Sequence, residues 1–308
     1  MADQILIIGA GGFVGSRLAQ ALTARGERVI ALYRRAPATR DAGVEVHVDS
    51  GREPSDYLPL LQRSRAVVHV ASASTPGSSA ARPLLELDEN LRPTLALLQA
   101  LQQFPAMPLI YVSSGGTLYD SKSGDDADEA AMVAPRSYHG AGKIAAEHFI
   151  AAWCSQFGGA ATILRPSNLY GPGQTERAGF GIVPAAFGKL LRGETLHVWG
   201  DGSAQRDYLY IDDFTRLCTA VLDAAPVAGP RVINACNGTS VTLNALFGMI
   251  ERATGHPLQR SYDATRAVDM PRVDMQANRA RTLYGWTPQT SLDEGLARTW
   301  TWFSTTQR

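Results

Sequence analysis

The chain has 308 residues, 45% hydrophobic and 19% charged, with Lys+Arg and Asp+Glu equal at 29 each. Zero formal charge argues against nucleic acid or an anionic membrane surface as partner, and the length suits one large or two modest domains. The cysteines Cys154, Cys218 and Cys236 lie apart without C-x-x-C spacing, which argues for a reducing compartment and against a disulfide framework or a metal site.

In chain order, MADQ runs directly into the apolar ILII, without the basic segment and long apolar stretch of a secretion signal. No apolar run approaches the roughly 18 residues of a membrane span, so a cytoplasmic protein is expected. Short β-rich runs at 5–8, 29–32, 44–48, 66–70 and 109–113 are predicted strands, and helical patterns fall at 14–25, 84–103 and 143–157. This alternation predicts an α/β fold: a Rossmann-type doubly wound parallel sheet with a smaller mixed C-terminal substrate lobe. A strand at 162–165 precedes Pro166, after which Gly- and Pro-rich loops separate strands at 209–211 and 231–235 from helices at 243–254 and 292–303. The expected dinucleotide domain spans 1–165 plus returning segments near 207–236, and the lobe spans 166–206 and 237–308. The run SKSGDDAD at 121–128 reads as a polar loop, and no internal repeat is visible.

The stretch ILIIGAGGFVGSRLAQAL sets Gly9, Gly12 and Gly15 between a strand and a helix. Small residues there let backbone approach a pyrophosphate at a helix N-terminus, where free N–H groups favour negative charge; a tight structural turn uses glycine too. The second strand ends VIALYRRA, with Tyr33 where an acid would bind a ribose 2′-hydroxyl, followed by Arg34 and Arg35. A guanidinium can hold a 2′-phosphate, so NADP(H) is preferred over NAD, unless these arginines are only solvated charges. Asp49 either accepts from the adenine amino group or caps the third strand.

Further motifs follow: VVHVAS at 67–72, YVSSGGTLYD at 111–120, SYHGAGKIAAE at 137–147, LRPSNLYGPGQ at 164–174, VWGDGSAQRDYLYIDD at 198–213 and LYGWTPQTSLDEGLARTWTW at 283–302. With them the chain resembles the extended short-chain dehydrogenase/reductase family, specifically its nucleotide-sugar epimerases, dehydratases and 4-keto reductases. The resemblance implies a nicotinamide cofactor against Gly9, Gly12, Phe13, Val14, Gly15, Ala71 and Lys143, with a nucleoside-diphosphate sugar in a cleft below the C-terminal lobe. It implies that Asn168, Arg206 and Arg266 hold the substrate diphosphate, which suits guanidinium forks and an amide donor. Arg206 could instead form a structural salt bridge with Asp207, and Asn168 could be a turn residue.

The family carries Tyr-x-x-x-Lys on a helix, spacing that puts both side chains on one face. Lys143 fits the lysine, but four residues before it stands His139, and Tyr138 is one earlier. One residue turns a helical side chain by about 100° and moves it by about 1.5 Å. The family's strand Ser or Thr corresponds to Gly115, flanked by Ser114 and Thr117, and Thr117 is the preferred hydroxyl. Three readings stay open: His139 is the acid/base, Tyr138 swings in, or redox turnover is lost while binding persists. An imidazole exchanges protons near neutrality, and Lys143 beside it favours the neutral form. The leading expectation is 4-epimerisation of a nucleotide hexose through a 4-keto intermediate. Its alternatives are NADPH-dependent reduction of a 4-keto nucleotide sugar and a non-catalytic binding protein. The family's helical interface, here near 84–103 and 144–157, implies a homodimer.

Overall fold

The computed structural model describes residues 3–37, 43–119, 127–177, 180–265 and 270–306. In chain order they form β1 (Gln4–Ile8), α1 (Phe13–Ala24), β2 (Val29–Tyr33), β3 (Val44–Val48), α2 (Pro54–Leu61), β4 (Ser64–His69), α3 (Pro76–Ser79) and α4 (Pro83–Glu86). A π-helical turn (Leu87–Leu91) leads into α5 (Arg92–Leu101), β5 (Leu109–Val112), α6 (Tyr138–Phe157), β6 (Ala160–Pro166), β7 (Asn168–Tyr170), α7 (Ile182–Arg192), β8 (Leu196–Trp199) and β9 (Gln205–Tyr210). The chain ends with α8 (Ile211–Asp223), β10 (Gly229–Ala235), β11 (Ser240–Thr242), α9 (Leu243–Thr254), β12 (Arg260–Asp263), β13 (Arg272–Val273), α10 (Asn278–Tyr284) and α11 (Leu292–Thr306).

One compact unit comprises residues 1–114, 137–165 and 215–233. Its seven-stranded sheet has the order β10-β6-β5-β4-β1-β2-β3, and the pairs from β3 through β6 are parallel. This is the doubly wound order, in which the chain starts at the centre and works outward in both directions. Leu6, Ile8, Ile30, Leu32, Val67, Leu109, Tyr111 and Ile163 pack on one face with α2, α5 and α6. The alternate residues Ile5, Ile7, Val29, Ala31, Ala66, Val68 and Ile110 are equally buried. Both faces are therefore covered, which is why these strands read as continuous apolar runs without alternation.

The second compact unit comprises residues 115–136, 166–214 and 234–308. It holds a mixed sheet, with β11 antiparallel to β9 and both β7 and β13 parallel to β9, and a separate parallel pair of β8 and β12. Tyr170, Phe187, Tyr208, Tyr210, Phe247 and Phe303 form its aromatic core.

Three elements differ from the sequence expectation for local physical reasons. The predicted helix at 143–157 starts at Tyr138, because Ser137 caps it, its Oγ accepting from Gly140 N at 3.1 Å. The predicted helix at 84–103 is broken by the π turn. Pro93 has no N–H for the carbonyl of Glu89, and its ring crowds that turn, so the helix widens just before it. The strand expected at 209–211 is the end of the longer β9, and Ile211 already opens α8. Of the polar loop at 121–128, residues 121–126 lie outside the described residues. Asp128 turns the chain at its end, its Oδ1 accepting from Ala130 N at 2.9 Å.

Candidate active site

The turn after β1 shows why its three glycines are needed. Gly9 has φ +91°, and a Cβ there would lie 2.6 Å from the Ala71 backbone. A Cβ on Gly15 would fall 2.3 Å from the Gly9 carbonyl oxygen. Gly12 N–H donates to that same oxygen at 3.0 Å and is the N-cap of α1, which has no side-chain cap. Phe13 and Val14 thus open a helix whose first N–H groups meet no capping side chain. A tightly packed backbone floor and an uncapped helix start fit the pyrophosphate of a dinucleotide. Phe13, Val14 and Ala71 are half-buried beside this floor.

At the end of β2 the Tyr33 ring covers Gly11, where a Cβ would come within 2.9 Å of Tyr33 Cδ1. Arg34 Nη1 donates to Glu89 Oε2 at 2.9 Å, and Arg52 donates to the other Glu89 oxygen. Arg35 is exposed. Asp49 Oδ1 accepts from Gly51 N at 3.0 Å, so this carboxylate caps a turn.

The α6 helix settles the orientation of the SYHGAGK motif. Tyr138 is 46% exposed, whereas His139 is 8% exposed and Lys143 5%. The regular cap at Ser137 leaves no irregularity to turn Tyr138 inward. His139 Nδ1 lies 2.9 Å from Ser74 Oγ. One amide nitrogen, Asn90 Nδ2, donates both to Ser74 Oγ at 2.9 Å and to Glu86 Oε2 at 2.7 Å. Asn90 Oδ1 accepts from Ala73 N at 2.7 Å, which fixes the amide's orientation. Glu86 Oε1 stands 3.9 Å from His139 Nδ1, is buried and has no hydrogen-bond partner among the described residues. Gly142 makes room for this carboxylate, since a Cβ there would meet Glu86 Oε2 at 3.0 Å.

Lys143 Nζ donates to the Val112 carbonyl at 2.9 Å and sits 5.0 Å from the centroid of the Tyr111 ring. Burial lowers the Lys143 pKa to about 8, against the pull of Glu86 and Glu147 in the other direction. Burial, with Lys143 repulsion second, lowers the His139 pKa to about 3. Near neutrality the imidazole is therefore uncharged and the lysine is mostly a cation. An inward imidazole with a hydroxyl at Nδ1 and a carboxylate behind it can accept a proton at Nε2. The new charge on the ring would then face Glu86.

One turn deeper, Glu147 pairs with Arg165, both side chains 7% exposed, and accepts from Ser113 Oγ. Of the sequence-identified hydroxyls, Ser114 follows directly and is half-buried. In the second unit, Thr117 is half-buried in the turn after Gly115, whose N–H donates to the Pro166 carbonyl at 2.7 Å. Asn168 Nδ2 donates to the Asp207 carbonyl at 2.8 Å, and Arg206 Nη1 to the Gln205 carbonyl at 2.8 Å. The Asp207 carboxylate accepts from Ser167 Oγ and from the backbone N–H of Asn237, Gly238 and Thr239. Arg266 lies outside the described residues.

Sequence reasoning named His139 and Lys143 but missed Ser74, Glu86, Glu89 and Asn90. Ser74 and His139 are separated by 65 positions. The available signal was one buried-looking acid, Glu86, in an apolar helical run. Among the described residues, no group of three or more His, Cys, Asp or Glu could hold a metal ion. No helix among them is long and apolar enough to cross a membrane.

Comparison with known proteins finds similar chains among nucleotide-sugar enzymes. A UDP-glucose 4-epimerase of Mycolicibacterium smegmatis is 28% identical, covering 96% of this chain and 96% of its own. A dTDP-4-dehydro-6-deoxy-D-allose reductase of a Streptomyces species is 27% identical, covering 97% and 95%. The UDP-glucose 4-epimerase of Thermotoga maritima, solved with UDP-glucose, superposes with a TM-score of 0.93 at 27% identity, covering 99% of this chain and 100% of that one. The Thermus thermophilus UDP-glucose 4-epimerase, solved with NAD, gives 0.90 at 25% identity over 98% and 99%. The sequence model of the NAD dependent epimerase/dehydratase family matches residues 5–236, and with the glycine floor and the doubly wound sheet the chain belongs to that family.

Proposed function

We propose that this chain is a nicotinamide-dependent enzyme acting at a ring carbon of a nucleoside-diphosphate sugar, by 4-epimerisation through a 4-keto intermediate. The observation that carries the reading is the inward, buried His139 one helical turn from Lys143, with Tyr138 turned out to 46% exposure. The bound nicotinamide would supply the acceptor and donor of hydride. Gly9, Gly12, Phe13, Val14, Gly15 and Ala71 would cradle the dinucleotide, and Lys143 would hold its ribose.

His139 Nε2 would take the sugar hydroxyl proton as the carbonyl forms and return it when the carbonyl is reduced on the opposite face. A neutral imidazole suits the first of these steps. Thr117 or Ser114 would hold the reacting oxygen. Asn168 and Arg206, with Arg266, would bind the substrate diphosphate. The preference for NADP(H) read from Arg34 and Arg35 weakens once Arg34 is engaged by Glu89, and relatives solved with NAD support NAD as the working cofactor.

One-way reduction of a 4-keto nucleotide sugar is the second reading, supported by the reductases among the relatives and by the exposed Arg35. Three buried cysteines, none in a disulfide among the described residues, support a reducing, cytoplasmic location. Leu84 at 68%, Leu87 at 47% and Phe149 at 48% exposure support a homodimer built on these helices.

The test incubates purified protein with NAD and UDP-glucose, UDP-galactose or a 4-keto nucleotide sugar, and follows product by chromatography. Epimer formation that disappears in His139→Ala and survives in Tyr138→Phe supports the reading. Full activity in His139→Ala overturns the assignment of His139. Tight binding of both ligands without turnover of any sugar would leave a non-catalytic binding protein.

A further inference from the structure

The end of β2 lacks the acid that would receive a ribose 2′-hydroxyl, but the fold supplies a carboxylate there from another part of the chain. Glu89 sits on the π turn ahead of α5, with Oε2 2.9 Å from Arg34 Nη1. Arg52, at the start of the loop into α2, binds its other oxygen. The Glu89 side chain is 27% exposed, against 59% for Arg34 and 45% for Arg52, so the carboxylate is the inner member of the cluster. Tyr33, the neighbour of Arg34, covers Gly11, so Arg34 emerges at the rim of the glycine floor. The same turn carries Asn90, which donates to Ser74, and Glu89, which accepts from Arg34.

We propose that Glu89 is the cofactor-selectivity residue of this chain. Its carboxylate, clamped by Arg34 and Arg52, stands in for the missing β2 acid. It accepts from the adenosine ribose 2′-hydroxyl of NAD and repels the 2′-phosphate of NADP. A 2′-phosphate reaching Arg34 must first break the Arg34–Glu89 pair and then lie beside an uncompensated carboxylate; a neutral hydroxyl meets neither obstacle. The inference rests on the dinucleotide reading of the glycine floor.

The experiment titrates NAD+ and NADP+ separately into wild-type protein, Glu89→Gln and the double variant Glu89→Gln/Arg34→Met, reading heat of binding by calorimetry. A half-exposed ion pair adds little to stability, so these variants are expected to fold, and circular dichroism checks that they do. The wild type should bind NAD+ more tightly than NADP+. Glu89→Gln should raise NADP+ affinity by about tenfold or more and weaken NAD+ slightly. The double variant should lose the NADP+ gain. An unchanged ratio of the two affinities in Glu89→Gln, or a wild type that prefers NADP+, overturns the inference while leaving dinucleotide binding intact. Folded wild type that binds neither cofactor overturns the dinucleotide reading itself.

Discussion

Glu86 and His139 meet in the interior of the first unit, with Glu86 Oε1 3.9 Å from His139 Nδ1 and without a hydrogen-bond partner among the described residues. A buried carboxylate oxygen without a donor is costly unless something else is gained. Here it faces the ring nitrogen that gains positive charge when the opposite nitrogen takes a proton. Glu86→Gln should lower kcat by roughly one to three powers of ten with little change in KM. An unchanged kcat in Glu86→Gln would remove Glu86 from this role.

Acid should destabilise the fold earlier than carboxylate titration alone predicts. Burial holds both His69 and His139 at a pKa of about 3, down from 6.5. The unfolded chain takes up protons at these groups near pH 6.5 and the folded chain resists until about 3. The stability they contribute is therefore complete above 6.5 and is lost progressively as pH falls across that window. Each should remove roughly 2 kcal/mol between pH 7 and pH 5. Urea unfolding at the two pH values measures the loss, and His69→Asn should make it shallower; an identical slope in that variant would contradict the assignment. Lys143 acts at the other end. Its pKa is lowered to about 8 from 10.5, so the fold gains stability as pH rises between those values.

The pair Glu147–Arg165 should behave as a single unit. Both side chains are buried, and Ser113 completes the carboxylate's shell. Removing either partner alone, as in Glu147→Gln or Arg165→Met, should cost about 3–5 kcal/mol because the other charge stays buried and unpaired. Replacing both by apolar residues should cost much less than the two single losses added together. Denaturant midpoints of the two single variants and the double variant check this, and simple additivity would refute it.

Gly15→Ala should separate the glycine turn's packing role from its ligand role. The new Cβ would fall 2.3 Å from the Gly9 carbonyl oxygen, so the turn must open. A stability loss of about 1–3 kcal/mol is expected, together with weakened binding of a dinucleotide by calorimetry. A variant with wild-type affinity would show that this turn does not touch the ligand.

The inner strands β1, β2, β4 and β5 were legible because they are buried on both faces and so appear as apolar runs. The glycine turn was legible because strand, three small residues and helix follow in immediate succession. In α6, the spacing of four between His139 and Lys143 predicted a shared face, and both are buried. Less was legible where two forces compete at one residue. The interruption at 87–91 needed Pro93 to be weighed against a long helical pattern, and α2 was hidden in a short segment carrying two prolines, Pro54 and Pro59. The role of Arg34 was read without its partner, because Glu89 lies 55 positions away.

The sequence by itself determined the doubly wound order of elements, the glycine turn between β1 and α1, and the one-turn register of an imidazole on a lysine. Those features are local: periodicity, glycine sterics and helical geometry act over a few residues. Only the tertiary structure decided that His139 faces inward and Tyr138 outward, and that Glu86, Ser74 and Asn90 gather behind the imidazole. Only the tertiary structure brought Glu89 to Arg34 and Arg52. Those outcomes depend on which distant segments a parallel sheet with crossover helices brings side by side, and on the desolvation that follows, and no short stretch of sequence encodes either.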